Sequence, residues 1–175
     1  MSYELFFSAI GEPALREVAA HWQGARGDRP MPGWPDIDAV ALGHKLPIIW
    51  AWRYDFALDT FVGRLAGEEI VAVLGGNIRG KPIETCFPPD AAAVVRDRYK
   101  TVLDGPQFMR GHGRVFVRLG GTGYGERIVL PLAGDGVRPD GVLGATVYRL
   151  GAPPVRDGAA IDHHNEIVTY YKLTD

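Results

Sequence analysis

The 175 residues carry a formal charge of −2 with acids and bases interspersed, so the chain offers no basic field to gather phosphates, which argues against nucleic acid as a partner. Cys86 is the single cysteine; this excludes an internal disulfide and a disulfide-rich secreted scaffold, and leads to the expectation of a cytoplasmic protein. The length suits one domain, burying roughly two thirds of the surface its unfolded form exposes, while no apolar run reaches the ~18 residues of a membrane span and the first residues lack the basic and apolar regions of a signal peptide.

Pro13 stands where a first helical residue would, and Leu15, Val18, Ala19 and Trp22 then recur at the spacing of one helical face, up to Gly24. A connector rich in proline and glycine follows from Arg26 to Pro35. Asp36 or Asp38 caps a short helix ending by Gly43. Ile48 to Tyr54 and Thr60 to Leu65 are rich in β-formers and predict an antiparallel hairpin. Between Gly67 and Pro89, glycines and short apolar clusters without a sustained period predict short helical turns. Asp90 is expected to cap a longer helix whose apolar stripe is Val95, Tyr99, Val102 and Leu103, stopped by Asp104-Gly105-Pro106.

Three strands come next: His112 to Leu119, Tyr124 to Ala133 and Val142 to Leu150. Val115, Val117 and Leu119 alternate with Arg114, Phe116 and Arg118; Ile128, Leu130 and Leu132 alternate with Arg127, Val129 and Pro131, the pattern of antiparallel strands with one buried face. Pro131 has no amide hydrogen, so its position is expected at an edge or an unpaired site. The order predicts one α+β domain over residues 1–150, a five-stranded antiparallel sheet with helices on one face and an N-terminal amphipathic helix. Residues 151–175 read as a tail, in which Ile167 to Tyr171 is a candidate added strand.

The strand–strand–helices–strand–strand–strand order resembles the PAS fold. Trp22, Asp36-Ile37-Asp38, Leu46-Pro47, Phe61-Val62-Gly63-Arg64-Leu65-Ala66-Gly67, Tyr99, Glu126-Arg127-Ile128-Val129-Leu130-Pro131-Leu132 and Asp135-Gly136 narrow the resemblance to the PAS-like domain family of alphaproteobacteria, formerly a domain of unknown function. It covers roughly residues 12 to 148. The resemblance implies a bacterial sensory or adaptor role in signal transduction, with self-association and protein contacts, and names no ligand or cofactor.

Flavin photoreceptors of the PAS superfamily carry Asn-Cys-Arg where this chain has Asn77-Ile78-Arg79; without a thiol at Ile78 that adduct chemistry is not available. Haem-binding PAS domains draw an axial histidine from the long helix, and the helix after Asp90 has none. His21, His44, His112 and the neighbours His163 and His164 show no metal-ligand spacing, so no metal site is expected. The serines, Ser2 and Ser8, form no nucleophile elbow. The glycines from Gly120 to Gly125 precede a strand rather than a helix, so they read as a hairpin turn, not a phosphate loop.

The candidate pocket is Trp50, Trp52, Tyr54, Arg64, Tyr99, His112 and Phe116. Arg64 either pairs with Asp59 or Glu69 or holds a ligand carboxylate at a pocket mouth; the three aromatics of the first strand share a face that is either core or cavity wall. Leu15, Val18, Ala19 and Trp22 form a stripe that covers the chain's own sheet or a second copy in a homodimer. The expected function is a PAS-type sensory or regulatory domain that binds a small molecule or a signalling protein without catalysis. Two rivals stand beside it: a small cone-shaped α+β enzyme with a buried His-acid pair, for which His112 is the candidate within the sheet, and a ligand-free interaction adaptor.

Overall fold

The computed structural model describes residues 2–118, 121–151 and 166–173. Two helices, α1 (Ser2–Ala9) and α2 (Pro13–Arg26), come first, then the short α3 (Ala39–Leu42) and a 3-10 segment over Gly43–Ile48. The hairpin β1 (Ile49–Asp55) and β2 (Thr60–Ala66) leads to α4 (Glu68–Leu74), a 3-10 turn at Ile83–Thr85, and α5 (Pro89–Asp104). The long strands β3 (Gln107–Arg118), β4 (Gly121–Leu132) and β5 (Gly141–Leu150) follow, and β6 (Glu166–Lys172) ends the described chain.

The sheet is antiparallel in the order β2-β1-β5-β4-β3-β6, so it has six strands rather than the expected five. The sixth comes from the tail: Ile167 pairs with His112 and Tyr171 with Phe108 along the outer edge of β3. Helices α4 and α5 gather on one face, and α1 with the amphipathic α2 covers the other. Strand β1 shows why both faces need a cover: neighbouring side chains point to opposite faces, and both directions are apolar. Ile49 and Ala51 join Ile128, Leu130 and Leu143 under α1 and α2, whereas Trp50, Trp52 and Tyr54 join Val129 and Met109 under α4 and α5.

The stripe of α2 is settled by burial. Leu15, Val18, Ala19 and Trp22 have no exposed surface, and the Trp22 Nε1 donates to the Pro131 carbonyl across 2.8 Å. The four residues expected as a dimer interface therefore cover the chain's own sheet. The helix runs through Gly24 to Arg26 and stops at Gly27, whose φ of 57° suits only glycine well.

Asp38 caps α3, its Oδ1 accepting from the amides of Val40 and Ala41. At α5 the expected cap is corrected: Pro88 holds the cap position, Pro89 begins the helix, and Asp90 sits in the first turn, where its charge complements the helix dipole. Pro131 falls beyond the last β3–β4 pair, Met109 with Val129, so its missing amide hydrogen breaks no ladder on that side. Helix α1, absent from the sequence reading, buries Phe6 against Phe108, with ring centroids 4.8 Å apart, and meets Tyr171 of β6 edge-on at 5.6 Å.

Candidate functional site

Beneath α4 and α5 the sheet carries Trp50, Trp52 and Arg127. Trp50 stacks on Tyr99 of α5 with ring centroids 5.0 Å apart, and its Nε1 donates to Thr146 Oγ1 at 2.9 Å, both buried. Trp52 leans toward Phe87. Ile70 and Leu74 of α4 and Ile78 of the following loop close the space from above. Together these eight side chains line a cavity of about 10 Å³, roughly the room one water molecule needs.

Its polar groups are the Tyr99 hydroxyl and the Arg127 guanidinium. Tyr99 is 2% exposed and Arg127 5%. Burial drives the Tyr99 phenol upward in pKa, and the charges that act on it are Arg127, Glu166 and Arg98; Arg127 also shares a hydrogen bond with it. Arg127 is in turn held by Glu166 of β6, whose Oε1 lies 2.8 Å from Nε. The other carboxylate oxygen, Oε2, accepts from Arg98 on α5.

The expected pocket residues divide accordingly. Trp50, Trp52 and Tyr99 line the cavity. Tyr54 shares their face but lies against Phe61 and donates its hydroxyl to Asp59, which raises its pKa. Arg64 is exposed and lies over the Trp34 ring, 4.7 Å from its centroid; the expected pairings with Asp59 and Glu69 are replaced by Arg96 on Asp59 and by this stacking. The arginine of the cavity is Arg127 instead.

His112 points away from the cavity. Phe108, Arg110 and His112 alternate onto the α1–α2 face of β3, and partial burial followed by the neighbouring Arg110 lowers the His112 pKa. Glu126, its cross-strand partner, is already occupied: it accepts from the amides of Gly11 and Glu12 at 2.7–3.0 Å and from Arg110 Nε. The His-acid pair of the enzyme rival is thus not assembled in the cavity. The Phe116 side chain lies outside the described residues. Among the described residues no cluster of histidine, cysteine, aspartate and glutamate suits a metal ion, and no helix is long and apolar enough to cross a membrane.

Ile70, Leu74, Ile78, Phe87 and Arg127 line the cavity without being among the pocket residues expected from the sequence. For Arg127 a signal existed: it shares a β4 face with Val129, and an apolar residue on each face of one strand indicates a sheet covered on both sides. The α4 residues had none, because seven residues flanked by glycines carry too short a period to orient.

The family model of the PAS domain matches residues 10–147. No curated protein sequence matches the chain. Among solved structures, VqmA bound to DPO is similar in fold, with a TM-score of 0.50 at 14% identity, over 63% of this chain and 55% of that chain. The present chain therefore spans about half the length of this relative. α1 and β6 both fall outside the matched residues and pack on each other. With a family match over well more than half its length and the strand order of that fold, the chain belongs to the PAS domain family.

Proposed function

We propose that the chain is a sensory PAS domain that binds a small molecule in the cavity between the sheet, α4 and α5, and performs no chemistry on it. The observation that carries this reading is the lining: six apolar or aromatic side chains around one buried guanidinium and one phenol hydroxyl, the composition of a ligand site, in which a few polar groups orient an otherwise apolar guest. VqmA, similar in fold, was solved bound to DPO. A guest larger than water enters with displacement of α4. That helix is seven residues long, packs chiefly on the 3-10 segment Gly43–Ile48, and ends at Gly75 and Gly76, around whose Cβ positions there is open space.

A ligand that binds the displaced arrangement better shifts the population toward it, and that shift is the signal. The reading includes a cytoplasmic setting and an output to a signalling protein or a second copy, through surfaces other than the buried stripe of α2. The near-filled cavity favours one second reading, the ligand-free adaptor. Native mass spectrometry of protein purified from its own host cells separates them: a reproducible small-molecule adduct is expected, and bare protein carrying only partner or dimer peaks establishes the adaptor.

A further inference from the structure

Glu166 is the first residue of β6, yet its carboxylate turns under α5 instead of toward solvent, with its side chain 5% exposed. Gly111, on the strand that β6 pairs with, makes the passage: a Cβ there would meet Glu166 Oε1 at 2.0 Å. Through this gap the carboxylate reaches Arg127 on β4 with one oxygen and Arg98 on α5 with the other. The 2.8 Å contact with Arg127 Nε is an ion pair without hydrogen-bond alignment. So one carboxylate serves two guanidinium groups, and these three charges are the ones felt at the Tyr99 hydroxyl. Among the described residues, Arg98 and Arg127 both meet the Glu166 carboxylate, Arg127 at the wall of the apolar cavity.

Buried charge is costly unless a counter-charge joins it. A guanidinium offers five donors in a planar fork and can hold a carboxylate on more than one edge. Arg127 meets Glu166 from the β6 side while its own side chain forms part of the cavity wall, next to Tyr99. The remaining walls, Trp50, Trp52, Ile70, Leu74, Ile78 and Phe87, suit hydrocarbon.

We propose that the cavity receives a small apolar carboxylic acid, its carboxylate on Arg127 and Tyr99 and its hydrocarbon among the aromatic and aliphatic walls, and that occupancy tightens β6 onto the sheet because ligand and Glu166 hold one guanidinium from two sides. This rests on the sensory reading above and adds to it the ligand class and the element that responds. Because Glu166 lies outside residues 10–147, the response belongs to the strand this chain adds to the matched region. By linkage, β6 docking and acid binding strengthen each other by the same factor.

The test uses the full chain and matched probes: phenylacetate against phenylacetamide and hexanoate against hexanamide, followed by calorimetry and by amide hydrogen exchange along β6. The acids are expected to bind about tenfold or more tighter than their amides and to slow exchange in β6. Arg127→Gln is expected to abolish the difference. Gly111→Ala, whose added methyl would meet the Glu166 carboxylate at 2.0 Å and Arg127 Cγ at 3.3 Å, is expected to remove the effect of an acid on β6 while the acid still binds more tightly than its amide. The acid–amide comparison in the unaltered chain stands even if Arg127→Gln fails to fold. Equal binding of acid and amide, or acid binding that leaves β6 exchange unchanged, overturns the inference and leaves the sensory reading intact. No binding by any probe also overturns it; a neutral adduct in native mass spectrometry then preserves the sensory reading, and bare protein removes both.

Discussion

Trp50 lies flat over Gly144, its direct cross-strand partner on β5, so closely that a Cβ at 144 would meet the indole at 2.1 Å. The ring has nowhere to go, since Tyr99 stacks on it and Thr146 holds its nitrogen. Gly144→Ala should therefore destabilise by about 1–3 kcal/mol through overpacking. A urea titration followed by tryptophan fluorescence reads both the loss and the displaced indole; a change within about 0.5 kcal/mol, the range of an inert surface substitution, would refute the contact.

Thr146 offers a finer test of the same stack. Its side chain is fully buried and accepts the Trp50 Nε1 hydrogen. Thr146→Val keeps the shape and leaves that donor unsatisfied, at a cost of about 1–3 kcal/mol, whereas Thr146→Ser retains the hydroxyl and should recover most of the hydrogen-bond contribution. Equal losses in the two variants would mean that packing, not the hydrogen bond, sets the cost.

Trp52 is 2% exposed although it lines the cavity, so it is a core residue first. Trp52→Ala should cost about 3–5 kcal/mol in chemical denaturation without any ligand present. A variant of near-native stability that has lost only ligand affinity would show the cavity to be far more open than this structure has it.

How much of this was legible beforehand follows from which faces the sequence exposes. β1 and β2 declare themselves through Trp50, Trp52 and Phe61, and α2 through the spacing of Leu15, Val18, Ala19 and Trp22, because period and residue type are local properties. What covers those faces is not local. The α2 stripe is the same stripe whether it meets its own sheet or a second copy; only the paired burial of Ile128, Leu130 and Leu143 beneath it decides. The charged residues misled for the same reason. Arg64 and Arg127 both alternate with apolar neighbours, yet Arg64 sits at a bulge in the β1–β2 register and stacks on Trp34, while Arg127 lies in the middle of the sheet under α5. β6 was visible as a β-rich run, but its partner strand and the reach of Glu166 depend on a glycine far earlier in the chain, Gly111, that nothing in the run itself reveals.

His112 supplies a pH signature. Its folded-state pKa is lowered by partial burial and by Arg110, so on acidification the unfolded chain takes up the proton first. Stability from this group is complete above about pH 6.5, the unfolded value, and drains as pH falls from there toward the lower folded pKa, because the unfolded state then binds more protons. His112→Gln should flatten that part of the profile, and parallel profiles for the two proteins across the range would exclude the assignment.

Gly75 ends α4 in the left-handed region at φ 77°, with open space around it. An added methyl there meets no neighbour, so the cost of Gly75→Ala is purely the backbone strain of an L-residue in that region, about 1–2 kcal/mol. Since α4 is short and forms the roof of the cavity, the strain should appear as local opening rather than global unfolding. Amides of Val71 to Gly76 are expected to exchange faster in the variant while those in β4 and β5 keep their wild-type rates. If instead the central strands and α4 accelerate together, α4 opens only with the whole domain, and the route by which a ligand reaches Arg127 must run elsewhere, past Phe87 at the other side of the cavity.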